Sequence, residues 1–202
     1  MFPERYRREG FFDGYVASAI RSMPEPGRNV PLIGGGTTGC LQLRQYGATP
    51  WQLDPFVPKP AEAEGELTWQ TEDDEFRFYL VVLRGSINYL AAEELAKIAN
   101  FMGRGGTLLA NTFGFPPEPA PLWSGRAVKD ATGGDCQERS QYLAEQGWVR
   151  HQLLRSGDAT SWAHYFYYRA PNAWLEWFPN AERLTYGDNS LLLRWRKPCR
   201  GE

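Results

Sequence analysis

The chain has too little cysteine for a disulfide framework or a zinc site. Of its 202 residues only Cys40, Cys136 and Cys199 are cysteine, far apart, odd in number and without a paired spacing. Histidine is scarcer still. His151 and His164 are the only two, neither has a second ligand nearby at metal spacing, and no metal is expected. An excess of charge of one sign is missing as well. A formal net charge of -2 removes any broad electrostatic case for nucleic acid or an anionic membrane, and the small cluster Arg5, Arg7 and Arg8 does not overturn that. No apolar stretch approaches the roughly 20 residues that cross a bilayer, and Met1 to Gly10 is too charged for a signal core. The expectation is a soluble, cytoplasmic protein with neither nucleic-acid nor membrane partners. Oligomeric state is not legible at this level.

What the chain does have is glycine placed after an apolar run. Gly34-Gly35-Gly36-Thr37-Thr38-Gly39 follows Val30 to Ile33, and the acid of Trp51-Gln52-Leu53-Asp54 lies 20 residues after the first glycine. That spacing suits a ligand with an anionic end and a ribose. A second block, Phe78 to Leu90, leads through a helical segment to Arg104 to Phe113, which implies strands and helices in alternation.

Periodicity fills in the remainder. Phe12, Tyr15, Val16 and Ala19 predict an amphipathic helix from Tyr6 to Met23, stopped by Pro24, Pro26 and Gly27. A first strand begins near Asn29, a short helix occupies Cys40 to Tyr46, and a second strand spans Trp51 to Leu53. Prolines between Pro55 and Pro60 make the next crossover a loop. A third strand fits Glu66 to Gln70, and the acidic loop Glu72-Asp73-Asp74-Glu75 separates it from a fourth, Phe78 to Leu83, whose continuous apolar run suits a strand covered on both faces. Leu95, Ile98, Ala99 and Met102 predict a helix from Ala92 to Met102, ended by Gly105 and Gly106. Further on, the pattern predicts a short helix from Glu138 to Gln146 and an antiparallel pair, Trp148 to Arg155 with Trp162 to Arg169. A short helix, Pro171 to Phe178, and a closing strand, Ser190 to Arg196, end the chain.

The fold class is therefore α/β and Rossmann-like: a mostly parallel sheet flanked by helices, with antiparallel strands in the C-terminal part. Nothing marks a domain boundary, so 1–202 reads as one domain. It comprises an N-terminal helix (1–28), a cofactor-binding core (29–115), an antiparallel pair (148–170), and a closing helix and strand (171–202).

In such a sheet ligands bind beyond the carboxyl ends of the strands. Gly34 to Gly39 follow strand one, Asp54 follows two, Glu72 and Asp73 follow three, Arg84 to Asn88 follow four, and Asn111 to Phe113 follow five. Glycines admit a ligand close to the backbone, and amide hydrogens at the following helix start can receive a carboxylate. An ionised Asp54 can accept from both hydroxyls of a ribose. Each residue also has a plainer reading. The glycine turn can be a tight connection, Asp54 can open a turn before Pro55, the acidic run can be a solvated loop, Arg84 can form an ion pair, and Asn88 can cap a helix. His164 would share a face with Trp162, Phe166 and Tyr168, as a general base or as a structural imidazole.

At these residues the chain resembles the class I S-adenosylmethionine-dependent methyltransferases over about Asn29 to Pro198. Gly34-Gly35-Gly36 is similar to that family's glycine motif, Asp54 to its ribose acid and Glu72-Asp73 to its adenine-side acid. Leu83 to Leu90 and Gly105 to Leu109 resemble its fourth- and fifth-strand segments, and the pair Trp148 to Arg169 its reversed strands. The resemblance implies S-adenosylmethionine as cofactor, with Gly34, Gly35, Gly36, Asp54, Glu72, Asp73 and Arg84 holding it. It further implies a small-molecule acceptor, for which Asn88 and Tyr89 are the candidate contacts by their place after strand four, while the shared aromatic face makes His164 the catalytic candidate. One departure stands out: the family usually carries an acid two residues before the first motif glycine, where this chain has Leu32. Two alternatives follow. One is a degenerate, non-catalytic relative acting in interaction or regulation. The other is a nicotinamide-dependent oxidoreductase, since Gly34, Gly36 and Gly39 also match the dinucleotide spacing.

Overall fold

A computed structural model describes residues 4–25, 28–53, 59–67, 78–113, 123–129, 135–143, 148–155, 163–169, 171–186 and 190–199; within these, side chains are described for 10–112 and from 169 onward. Helix α1 (Glu4–Ser22) precedes β1 (Asn29–Ile33), α2 (Gly36–Gln45), β2 (Thr49–Leu53), the two-residue β3 (Gly65–Glu66) and β4 (Phe78–Arg84). A 3-10 turn at Ile87–Tyr89, helix α3 (Ala92–Ile98) and a second 3-10 turn (Ala99–Phe101) lead into β5 (Met102–Phe113). Four strands follow: β6 (Trp123–Lys129), β7 (Asp135–Leu143), β8 (Trp148–Arg155) and β9 (Ala163–Arg169). A 3-10 turn (Ala173–Glu176), β10 (Glu182–Tyr186) and β11 (Ser190–Arg196) finish the described chain.

Seven strands form one sheet in the order β10-β11-β5-β4-β1-β2-β3, and β6-β7-β8-β9 form a second. In the first, β3, β2, β1, β4 and β5 are parallel, whereas β11 runs antiparallel to β5 and to β10. The second sheet is antiparallel throughout. Chain order reverses between β1 and β4, which are direct neighbours, and in sheets of this kind ligands bind beyond the carboxyl ends at such a point.

Burial explains why these segments take these forms. Leu80, Val81, Val82 and Leu83 are all buried because both faces of β4 are covered. One face packs Val81, Leu83, Leu108, Ala110 and Leu193 against Leu95, Ile98, Trp174 and Phe178. The other packs Val30, Leu32, Leu80, Val82 and Leu109 against Phe12, Val16 and Ile20 of α1 and Cys40 and Leu43 of α2. The spacing of Phe12, Val16 and Ile20 is the i, i+4, i+8 stripe that turns α1 onto the sheet. No helix among the described residues is long and apolar enough to cross a membrane.

Four expectations change. The segment expected to be a helix from Glu138 lies in β7, whose hydrogen-bonded neighbours β6 and β8 override the helix-forming tendency of Gln137, Glu138, Arg139 and Gln141. The pair Trp148 to Arg169 does not close the main sheet. Its members are β8 and β9 of the second sheet, and the reversed strand of the main sheet is β11, with Leu191, Leu192 and Leu193 buried. The helix expected to reach Met102 stops at Ile98, where Lys197 Nζ donates to Ala99 O and Met102 O at 2.8 Å each and ends it with a cation. Gly105 and Gly106 accordingly lie within β5, at the place where its register with β4 shifts.

Candidate functional site

The turn from β1 into α2 is made by three glycines in the left-handed region, with φ of 72°, 88° and 49° at Gly34, Gly35 and Gly36. A side chain would be strained at each. Gly34 N donates to Leu53 O at 3.2 Å, which ties the turn to the end of β2, and Gly39 N donates to Gly35 O at 3.0 Å as α2 opens. The three glycines face different surroundings. A Cβ at Gly34 would stand 2.5 Å from Ser86 Cβ, and one at Gly35 would touch Leu32, whereas one at Gly36 would meet nothing within 4 Å. Among the described residues nothing crowds the turn at Gly36. Helix α2 begins there with Gly35 as its N-cap, with no side-chain cap and no acid in its first turn. The first amides of a helix lack intrahelical acceptors and lie at the positive end of its dipole, so this end suits a carboxylate.

The segment after β4 is fastened on several sides. Ser86 Oγ donates to Ile33 O, and Gly85 N donates to Asn111 Oδ1 at 2.5 Å. Thr112 Oγ1 donates to Asn88 Oδ1 at 2.8 Å, with Asn88 fully buried in the 3-10 turn. Tyr89 keeps 41% of its surface exposed at the end of that turn, and burial of the remainder raises its phenol above the usual range. One residue on, Leu90 O accepts from Arg169 Nη2 at 2.7 Å. Arg169 closes β9 at 1% exposure, and its guanidinium lies 5.1 Å from the ring centre of Trp174 and 5.2 Å from that of Trp177. The second sheet is thereby joined to the segment that carries Asn88 and Tyr89.

At the start of the segment Arg84 turns toward α1, where its Nη2 meets Asp13 Oδ2 at 3.3 Å. Leu32 packs beside this pair, and Leu32, Gly39, Gln42, Tyr46, Asp13 and Arg84 line a cavity of about 10 Å³ between α1, α2 and the sheet. Burial raises the Tyr46 phenol first, with Asp13 adding to the rise and Arg84 opposing it.

Gly34, Gly35, Gly36, Arg84, Asn88 and Tyr89 thus lie at or just beyond the adjacent carboxyl ends of β1 and β4, with the Arg84 side chain turned to Asp13 and that of Asn88 buried. Asp54, Glu72 and Asp73 lie outside the described residues. His164 sits in β9 opposite Leu153 of β8, and its side chain is likewise outside the description. Among the described residues no group of three His, Cys, Asp or Glu side chains is placed to hold a metal ion. Sequence reasoning missed Asp13 and Arg169, and it placed Ser86, Asn111 and Thr112 at strand ends without the bonds they make. Asp13 carried a signal, as an acid set between the core positions Phe12 and Val16. Arg169 carried none, since its partners lie 79 residues away and in a 3-10 turn.

No protein-family model matches the chain, and no curated protein does. Solved structures do. The CcbJ methyltransferase from Streptomyces caelestis matches with a TM-score of 0.59 at 15% identity, covering 98% of this chain and 91% of that one. The sugar N-methyltransferase KedS8 from a Streptoalloteichus species matches at 0.56 and 17% identity, covering 98% and 93%. CalS10, an amino pentose methyltransferase from Micromonospora echinaspora solved with S-adenosylmethionine bound, matches at 0.53 and 14% identity, covering 96% and 98%. The fold is that of the class I S-adenosylmethionine-dependent methyltransferases. The antiparallel β11, inserted next to β5, sets it apart from the classic dinucleotide order 3-2-1-4-5-6 and weighs against the oxidoreductase alternative.

Proposed function

We propose that the protein is an S-adenosylmethionine-dependent methyltransferase acting on a small-molecule acceptor. The observation that carries this reading is the glycine turn at the switch point of the sheet: three left-handed glycines, nothing crowding Gly36 among the described residues, and an α2 start with neither cap nor acid. These features fit the carboxylate end of the cofactor. Neighbours of the same fold named as sugar and amino pentose methyltransferases support a small acceptor.

When bound, the cofactor would supply a methyl group activated on a sulfonium for in-line transfer to an acceptor O, N, S or C nucleophile, with the neutral thioether as the leaving group. The residues of this chain bind and orient. The first amides of α2 receive the carboxylate, Asp54 accepts from the ribose hydroxyls, and Glu72 or Asp73 accepts from the adenine amino group. Tyr89, part-exposed after β4, is the candidate contact for the acceptor, with the buried Asn88 beneath it. The bond from Thr112 fixes Asn88, and the seam at Arg169 fixes the backbone beyond Tyr89. His164 is the candidate to take a proton from the acceptor. Alignment of two reactants alone lowers a barrier by about 7 to 11 kcal/mol, so the activity does not require a stronger base.

Calorimetry with S-adenosylmethionine and with its demethylated product tests the proposal. Saturable binding of both is expected; no heat and no thermal shift with either would overturn it. The second reading, a cofactor-free interaction or regulatory protein, draws on Leu32 in place of the acid and on Ser86 closing the Gly34 side of the turn. It predicts that same absence of binding.

A further inference from the structure

The Asp13–Arg84 pair has a bearing on charge at the proposed cofactor site. Arg84 ends β4 at the rim where the cofactor is proposed to bind, and a free guanidinium there would repel a sulfonium. The side chains of Arg84 and Asp13 are only 16% and 18% exposed, so water and salt screen them weakly. Asp13 comes from α1, and it meets Arg84 beside Leu32, the position from which a family acid would otherwise project. Leu32 itself is 1% exposed and packs with Phe12, Val16 and Val82, so a carboxylate at residue 32 would be desolvated in apolar surroundings.

We propose that Asp13 is a positioning residue: its carboxylate holds the Arg84 guanidinium on the α1 side of the sheet and cancels its charge, so that the cofactor site beside Gly36 accepts a sulfonium. Arg84 serves as the partner of Asp13 and not as a ligand of the cofactor. The inference rests on the methyltransferase reading.

The test compares S-adenosylmethionine, which carries the sulfonium charge, with S-adenosylhomocysteine, whose thioether is neutral. Dissociation constants are measured by calorimetry for the wild type, Asp13→Asn, Asp13→Glu, Arg84→Met and the double variant Asp13→Asn/Arg84→Met, each checked by thermal melting. Asp13→Asn should weaken S-adenosylmethionine about tenfold and S-adenosylhomocysteine less than about threefold, because only the former bears the charge that Arg84 repels. Asp13→Glu and the double variant should keep the wild-type ratio, and Arg84→Met, which leaves the carboxylate uncompensated, should bind S-adenosylmethionine at least as tightly as the wild type. Equal weakening of both nucleosides in Asp13→Asn overturns the inference, since a structural role alone would do that. So does a tenfold loss of S-adenosylmethionine in Arg84→Met, which would make Arg84 a direct ligand. This arm decides the matter even where Asp13→Asn does not fold. If neither nucleoside binds the wild type, the methyltransferase reading falls and the inference with it; binding of both with an unmoved ratio sinks the inference alone.

Discussion

Arg84 and Arg169 hold the same segment at its two ends, and the structure secures them in opposite ways. Arg84 is neutralised by a carboxylate on a helix that covers one face of the sheet. Arg169 is surrounded on the other side by Trp174 and Trp177 and gives a hydrogen bond to the Leu90 carbonyl. A carboxylate partner can be altered by one isosteric change that leaves packing intact, so the Arg84 end tunes charge. A guanidinium set against two indoles and bound to backbone cannot lose its charge without losing packing, so the Arg169 end fixes shape.

The strongest way to break this contrast is Arg169→Ala. It removes a buried cation, two aromatic contacts and the donor to Leu90 O, and leaves a void between the sheets. A loss of about 3 to 5 kcal/mol is expected in urea unfolding. Arg169→Lys should recover only part of it, since an ammonium can reach the carbonyl yet cannot stack as a planar fork between the rings. A loss below about 1 kcal/mol would show that the seam is not what holds the second sheet to the segment.

Gly34→Ala comes next in size. Its Cβ would overlap Ser86 Cβ at 2.5 Å with the backbone at a φ of 72°, and a loss of about 2 to 3 kcal/mol is expected. Ser86→Gly in the same chain should return the part due to the clash and leave the part due to the backbone. If the double variant gains nothing over Gly34→Ala, glycine at this position answers only to the dihedral angle and not to the neighbouring loop. Gly36→Ala, with the same kind of strain but nothing within 4 Å of its Cβ, separates the two terms.

The parallel half of the fold was legible because its signals are local. A continuous apolar run marks β4, the glycines mark the turn into α2, and Ser190 to Arg196 was read with the bounds the structure gives. In the second sheet the antiparallel pair β8 and β9 was legible from its aromatic and aliphatic runs, whereas β7 was not. Polar residues fill both phases of Asp135 to Leu143, so no alternation marks a strand, and its pairing with β6 and β8 depends on partners distant in sequence. Strand β10 escaped for a similar reason: a short edge strand with Glu182 exposed has little apolar pattern to show. At the site, the order of the strand ends was readable. The bonds that fasten them were not, because Ser86 to Ile33 O and Arg169 to Leu90 O each join a side chain to a backbone carbonyl, which any residue type supplies.

The smallest expected effect concerns Tyr89, where the segment meets the proposed acceptor. Burial raises its phenol above the ordinary value of 10.0. The neutral form is thus favoured in the folded state, and the stability this contributes is complete below pH 10. As pH rises past that value the unfolded chain releases the proton first, so stability declines until the folded phenol ionises as well. With 41% of the residue exposed the decline is shallow. Absorbance near 295 nm, compared between the wild type and Tyr89→Phe, reads the difference directly as a tyrosinate that forms later than the exposed tyrosines. A Tyr89 signal that titrates together with the exposed phenols would mean that the ring stands free of the segment. The Leu90 seam would then not extend its rigidity to the residue proposed to meet the acceptor.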